Sequence, residues 1–251
     1  MPWPRARDSR VLVALLALLT ALAWWVLWRG EHSRWGHAVL HTPQGVQMHA
    51  DTLIFGAIFI LGWTVMTIAM MLPTSSPLVL MFHAMVAERP DAYRLVGLLV
   101  GGYLAVWTLF GLAAYVLNRG ADSVVWLAQN AWAAGALILL VAGLYQFSPL
   151  KYACLDKCRS PMLFLVKEWN SGNRRQSDAF RVGAVHGLYC VGCCWSLMLV
   201  MFAVSTGSFA WMLVLGIVMA MEKNLPWGRR LSAPVGLVLV TMAVATTIVH
   251  F

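Results

Sequence analysis

Apolar runs of membrane-span length constrain this chain more than any other feature. They fall at residues 11–28, 53–72, 95–117, 124–147, 182–204, 209–221 and 233–250, divided by short polar stretches. About 20 apolar residues on a helix cross the hydrocarbon of a bilayer. The predicted fold is therefore all-α: a polytopic membrane helical bundle of about seven transmembrane helices, the sixth of them short. Composition agrees, with 61% hydrophobic and 11% charged residues, where a soluble domain carries about a quarter charged.

The net charge of +8 raises the question of a nucleic-acid partner, which the position of the charges answers. With a cytoplasmic N-terminus, fifteen of the 18 Lys and Arg residues fall on the inner side, among them Arg10, Arg94, Lys151, Lys157, Arg159, Arg181, Lys223 and Arg229. Only Arg29, Arg34 and Arg119 fall outside. Positive charge retained on the cytoplasmic side orients helical membrane proteins, so the basic excess reads as a topology signal and no nucleic-acid partner is expected. The expected topology is N-terminus cytoplasmic and C-terminus periplasmic, multi-pass, in the bacterial inner (cytoplasmic) membrane.

Residues 1–251 read as a single membrane domain. Residues 1–51 form an N-terminal helix and an external loop carrying His32, His37, His41 and His49, and residues 52–251 a six-helix core rich in Cys and Met. The first apolar run follows Arg5, Arg7 and Arg10 in the manner of a signal peptide, with Ala21-Leu22-Ala23 as a cleavage-like site. Trp24, Trp25 and Trp28 extend it to a full span with an aromatic belt, and a retained helix is expected. Two segments depart from simple spans. Pro73 and Pro77 break the chain after Met71, leaving Leu78 to Val86 as a re-entrant or interfacial piece. Pro149 to Trp169 mixes basic and apolar residues, as an amphipathic helix on the cytoplasmic face would.

The chemistry-bearing residues are concentrated. His186, Cys190, Cys193 and Cys194 fall within an arc of roughly 100° on one helix, with Met201 inside it. Cys154 and Cys158, four apart and so on one helical face where they could chelate one ion, lie just past the cytoplasmic end of the preceding span. A reducing cytosol and an odd number of cysteines, five, argue against a disulfide framework. Thiolate and thioether ligands select Cu(I) or zinc, and polar groups at membrane depth are functional candidates. Two other readings stand beside metal binding. Gly183 and Gly187 would pack this helix against a neighbour, with the cysteines as small apolar filler. Cys190 and Cys193 could instead form a redox pair, although burial disfavours the thiolate that exchange requires.

Methionines supply accessory ligand candidates, Met66, Met70 and Met201, although methionine also fills gaps in cores. The four external histidines would suit a loose metal-capturing loop. Glu222 and Lys223 end the short sixth run: Glu222 is an accessory candidate or half of a buried ion pair, and Lys223 reads as a lysine snorkelling to the interface.

The segments from Tyr145-Gln146 through Lys151, Cys154, Cys158-Arg159 and Pro161, then Gly187 through Cys190, Gly192, Cys193-Cys194-Trp195 and Met198, then Glu222-Lys223 with Pro226 and Gly228, resemble a bacterial family of predicted metal-binding integral membrane proteins. Ala69-Met70-Met71-Leu72-Pro73 is similar to that family's Met-rich span ending in proline. Ser205-Thr206-Gly207-Ser208 departs from its pattern. The resemblance implies metal binding by Cys154, Cys158, Cys190, Cys193 and Cys194.

The expected function is binding of a soft metal ion, Cu(I) ahead of zinc, for its transport, delivery or insertion into a membrane protein. The expected partners are the lipid bilayer, the metal ion, and a metallochaperone or membrane cuproprotein. A membrane thiol-disulfide oxidoreductase using Cys190 and Cys193, and a non-catalytic assembly subunit, are the alternatives. No nucleotide-binding Gly-rich loop or Ser-His-Asp order is present, and a binding protein is expected over an enzyme.

Overall fold

The computed structural model describes residues 6–31, 52–124, 130–169, 175–203 and 208–250. Among them every regular element is helical and there is no strand. The order is α1 (Ala6–Glu31), α2 (Thr52–Met70), a 3-10 turn (Pro73–Ser75), α3 (Ser76–Val86), α4 (Ala92–Ser123) and α5 (Ala131–Tyr145). It continues with α6 (Pro149–Arg159), α7 (Pro161–Glu168), α8 (Arg175–Ala203), α9 (Phe209–Asn224), a second 3-10 turn (Gly228–Leu231) and α10 (Ser232–His250). The histidine-containing stretch, His32 to His49, and Ser205 to Gly207 lie outside the described residues.

Four segments, Arg10–Glu31, Ala92–Gly120, Arg175–Met201 and Gly228–His250, are long and apolar enough to cross a membrane. Two bent pairs raise the number to six if each is one span: α2 with the turn and α3, bent by 46°, and α5 with α6, bent by 66°. A seventh crossing would rest on α9, whose 16 residues are short of a full span.

Proline placement explains the breaks. Pro73, Pro77, Pro149 and Pro161 each sit in the first turn of a helix, where the missing amide hydrogen costs nothing. At α6 the Ser148 hydroxyl accepts the Lys151 amide at 3.1 Å, capping the new helix. The expected single amphipathic helix over Pro149 to Trp169 is thus two helices, α6 and α7, because Ser160 leaves helical geometry ahead of Pro161.

The ends of α2, α5 and α9 meet α4 at Tyr103 and α8 at Cys190 to Cys194, in the middle turns of those two helices, toward one end of the bundle. Tyr103 of α4 donates to the Met71 carbonyl at 3.3 Å, and the Tyr145 hydroxyl donates to the Gly192 carbonyl of α8. A second apolar cluster covers this end, built from Leu12, Leu78, Phe82, Leu95, Phe164 and Val182. α4 packs tightly on α8, and the contact runs through the two glycines. A methyl group at Gly183 would strike the Leu99 backbone, and one at Gly187 would lie 3.0 Å from Val106 Cβ and 3.2 Å from the Tyr103 carbonyl. Glycine packing is therefore real, and it occupies a face adjoining the thiols, since Tyr103 of α4 also reaches Cys190.

Candidate metal centre

The cysteines of α8 turn toward α2, α6 and α9. Cys190, Cys193 and Cys194 are buried, Cys154 and Cys158 are half-buried, and all five are free thiols. Sulfur atoms follow one another in short steps. Cys158 Sγ is 3.9 Å from Cys193 Sγ, Cys193 Sγ is 3.7 Å from Cys194 Sγ, and Cys194 Sγ is 3.7 Å from Met71 Sδ. Sulfurs held at about 2.3 Å from one tetrahedral ion stand about 3.8 Å apart, so each step is one that a single small ion could bridge. Among the described residues no three His, Cys, Asp or Glu side chains already converge as a closed ligand set. The arrangement is a chain of sulfurs from α6, through α8, to the end of α2.

Helical geometry makes this chain. Cys193 and Cys194 follow Cys190 by three and four residues, and their thiols donate to its carbonyl at 3.2 and 2.8 Å. That bonding holds both sulfurs beside the helix backbone, Cys193 toward Cys158 and Cys194 toward Met71. Cys190 Sγ has polar partners of its own. The Lys223 ammonium donates to it at 2.9 Å, and the Tyr103 hydroxyl is 3.1 Å away. Lys223 also reaches Thr74 Oγ1 at 3.2 Å and Met71 Sδ at 3.7 Å. Expected to snorkel, it is instead buried in the bundle, 6% exposed.

The predicted site residues thus divide. Cys158, Cys193 and Cys194 form the sulfur chain, and Cys190 joins it through Lys223 and Met71. Cys154 instead packs on α8 at Gly192, where an added methyl would lie 2.5 Å from its sulfur. His186 is buried between the rings of Tyr103 and Phe164, at centroid distances of 5.9 and 5.5 Å, and its Nδ1 has no hydrogen-bond partner. Met66, Met70 and Met201 are buried in the same core, with Met70 against Gly216 of α9. Met71, one residue on, is the methionine whose sulfur meets a thiol.

Glu222 is committed to an ion pair. Its carboxylate accepts from Lys151 Nζ at 2.7 and 2.9 Å and from Ser232 Oγ at 2.8 Å. Gln146 accepts from the same ammonium and donates to Ser196 at 3.3 Å. Lys151, counted among the basic residues that orient the chain, is fully buried and paired with Glu222, so it is a structural charge as well. Arg159 donates to the carbonyls of Glu222 and Pro226, the latter at 2.9 Å, and ties α6 to the end of α9.

Sequence reasoning missed Lys223, Tyr103, Thr74 and Met71 as neighbours of the thiols. The available signal was the adjacency of Glu222 and Lys223. Successive helical residues diverge by about 100°, so two adjacent buried charges face different partners, and the second had to find one of its own.

The fold and this centre define an all-helical chain with membrane-length apolar segments and a soft-donor cluster at one end of the bundle. A family model described as copper chaperone, PpoB2, matches residues 60–246, well over half of the chain, and the chain belongs to that family. The match includes every member of the sulfur chain and begins beyond α1 and the histidine-containing stretch. Neither a curated protein nor a solved structure matches.

Proposed function

We propose that this protein is a multi-pass protein of the bacterial inner membrane that takes up Cu(I) at its cytoplasmic end. It holds the ion among Cys158, Cys193, Cys194 and Met71 and passes it to a membrane or exported cuproprotein, directly or through a metallochaperone. Cargo handling, and not turnover of a substrate, is its task. The carrying observation is the run of sulfur-to-sulfur steps of 3.7 to 3.9 Å across three helices. A thioether in that run favours Cu(I) over zinc, since zinc sites are built from thiolate, imidazole and carboxylate. Cys190 and its bonded Lys223 hold charge balance beside the ion, and Met66, Met70 and Met201 supply further thioethers deeper in the core.

The topology we propose has seven spans with the N-terminus cytoplasmic and the C-terminus periplasmic, α9 crossing as a short helix and residues 1–251 acting as one membrane domain. In that topology the ends of α2, α5 and α9 and the starts of α4 and α8 lie on the cytoplasmic side. The oxidoreductase reading has less support, because Cys193 is not isolated with Cys190 as a redox pair but also stands 3.9 Å from Cys158 and 3.7 Å from Cys194.

Purified full-length protein titrated with Cu(I) against a chromogenic chelator should bind at least about one ion, with sulfur-dominated X-ray absorption. Changing Cys190, Cys193 and Cys194 together to Ser should abolish that binding. Retained binding in the triple variant would refute the assignment.

A further inference from the structure

A cavity of about 170 Å³ opens beside the outer end of the sulfur chain, with Thr74, Cys158, Arg159, His186, Lys223 and Asn224 in its wall. Three features of the wall point to a ligand. Two of its side chains are cationic, and none of the described residues lining it is acidic. Arg159 spends its donors on backbone carbonyls, which leaves its charge uncompensated, and the carboxylate of Glu222 is taken by Lys151 and Ser232. His186, 3% exposed, carries an Nδ1 with no partner, an expensive state for a buried polar atom.

We propose that this cavity is the receiving site for copper presented as a complex with a small anionic thiol, one whose carboxylate the basic wall attracts. The inference rests on the copper-handling function and names the form in which the cargo arrives. Pockets for drug-sized molecules hold roughly 300–1,000 Å³, so the occupant is smaller than those, and a protein domain is far too large to enter. On the proposed topology the cavity faces the cytosol, where thiols are kept reduced.

Transfer is then two successive ligand exchanges at Cu(I), without change of oxidation state. In the first, the bond from copper to one donor sulfur breaks, a bond to Cys158 Sγ forms, and the Cys158 proton leaves on the released donor thiol. In the second, Cys193, 3.9 Å from Cys158, replaces the remaining donor in the same way and gives its proton to that thiol. Copper ends between two protein sulfurs, and two small thiols depart.

The test uses full-length protein in nanodiscs and Cu(I) presented by 3-mercaptopropionate, 2-mercaptoethanol or 2-aminoethanethiol, which are anionic, neutral and cationic, at matched free Cu(I). Uptake should be roughly tenfold faster from the anionic than from the cationic donor, as expected for a charged cleft steering an opposite charge. The gap should narrow as salt is raised. Asn224 is exposed in the wall and donates to Ala220 of its own helix, so Asn224→Asp, which places a negative charge there, should shrink the gap severalfold. Equal rates from all three donors, with copper bound, would overturn the cavity proposal and leave the copper-handling function standing. Loading solely from a protein donor would overturn it in favour of docking at the surface. Failure to bind Cu(I) even from a chelator-buffered solution would overturn both.

Discussion

Two lysines are buried at the same end of this bundle, and they are solvated in opposite ways. Lys151 meets a carboxylate, with both oxygens of Glu222 within 2.9 Å and Gln146 completing its shell. Lys223, the chain neighbour of Glu222, meets sulfur and a hydroxyl: Cys190, Met71 and Thr74. A buried ammonium needs a counter-charge, and for Lys223 the atom in that position is Cys190 Sγ. The first lysine closes a structural knot joining α5, α6, α9 and α10. The second stands beside a cluster with soft donors and no fixed carboxylate, where a monovalent soft cation can compete for the same electrons. The charge in the knot and the charge beside the thiols are thus separated by one residue, Glu222 against Lys223, because a helix turns about 100° per step.

The strongest break of this contrast is Glu222→Gln, which leaves Lys151 charged and unpaired. Removing one partner of a buried pair costs about 3–5 kcal/mol, so thermal unfolding in detergent should show a large loss of stability. The double variant Lys151→Met with Glu222→Leu removes both charges and should recover most of it. If Glu222→Gln were as stable as the unchanged protein but failed to bind copper, Glu222 would be part of the metal centre and not of the knot.

Lys223→Met should separate the two lysines by the opposite signature. A Cu(I) ion held by two thiolates carries a net negative charge, which the ammonium offsets. Its replacement by an uncharged thioether should weaken Cu(I) binding by about tenfold, or about 1.4 kcal/mol, read by chelator competition. The loss of stability should be well below that of Glu222→Gln, because Cys190 can take up a proton and leave no buried charge unpaired. Equal destabilisation in the two variants would collapse the distinction.

How far the sequence disclosed this arrangement follows from what spacing encodes. The periodicity of α8 placed Cys190, Cys193 and Cys194 on a common arc, and the structure keeps them together, since that relation is internal to one helix. The Gly183 and Gly187 pair was equally legible as a packing motif, and it does pack, on α4. Relations between helices were not legible. Lys151 and Glu222 stand 71 residues apart, and nothing local in a basic residue near a membrane face distinguishes a buried lysine from a topology signal. Cys154 and Cys158 share a helical face as predicted, yet the tilt of α6 across α8 sends one sulfur to Gly192 and the other to Cys193. The bend between α5 and α6 that sets this tilt depends on Pro149, whose presence was readable but whose angle was not.

The smallest predicted effect tests that last division. Spacing alone made Cys154 and Cys158 equal partners in chelating one ion, whereas only Cys158 lies within 3.9 Å of the buried thiols and in the wall of the cavity. Cys158→Ala removes the outermost sulfur, so copper loading should slow severalfold even where the inner thiols still bind the ion. Cys154→Ala trims an atom held against Gly192 and should cost no more than about 1 kcal/mol, the scale of removing little volume from a partly collapsible site, with loading rate and stoichiometry unchanged. Stopped-flow uptake by the two variants decides the matter. Equal slowing in both would restore the cysteine pair as a joint chelate and require α6 to roll on α8 when copper arrives. Slowing in Cys158→Ala alone would fix the order of the path: cavity, Cys158, Cys193, then Cys194 and Met71 beside Lys223.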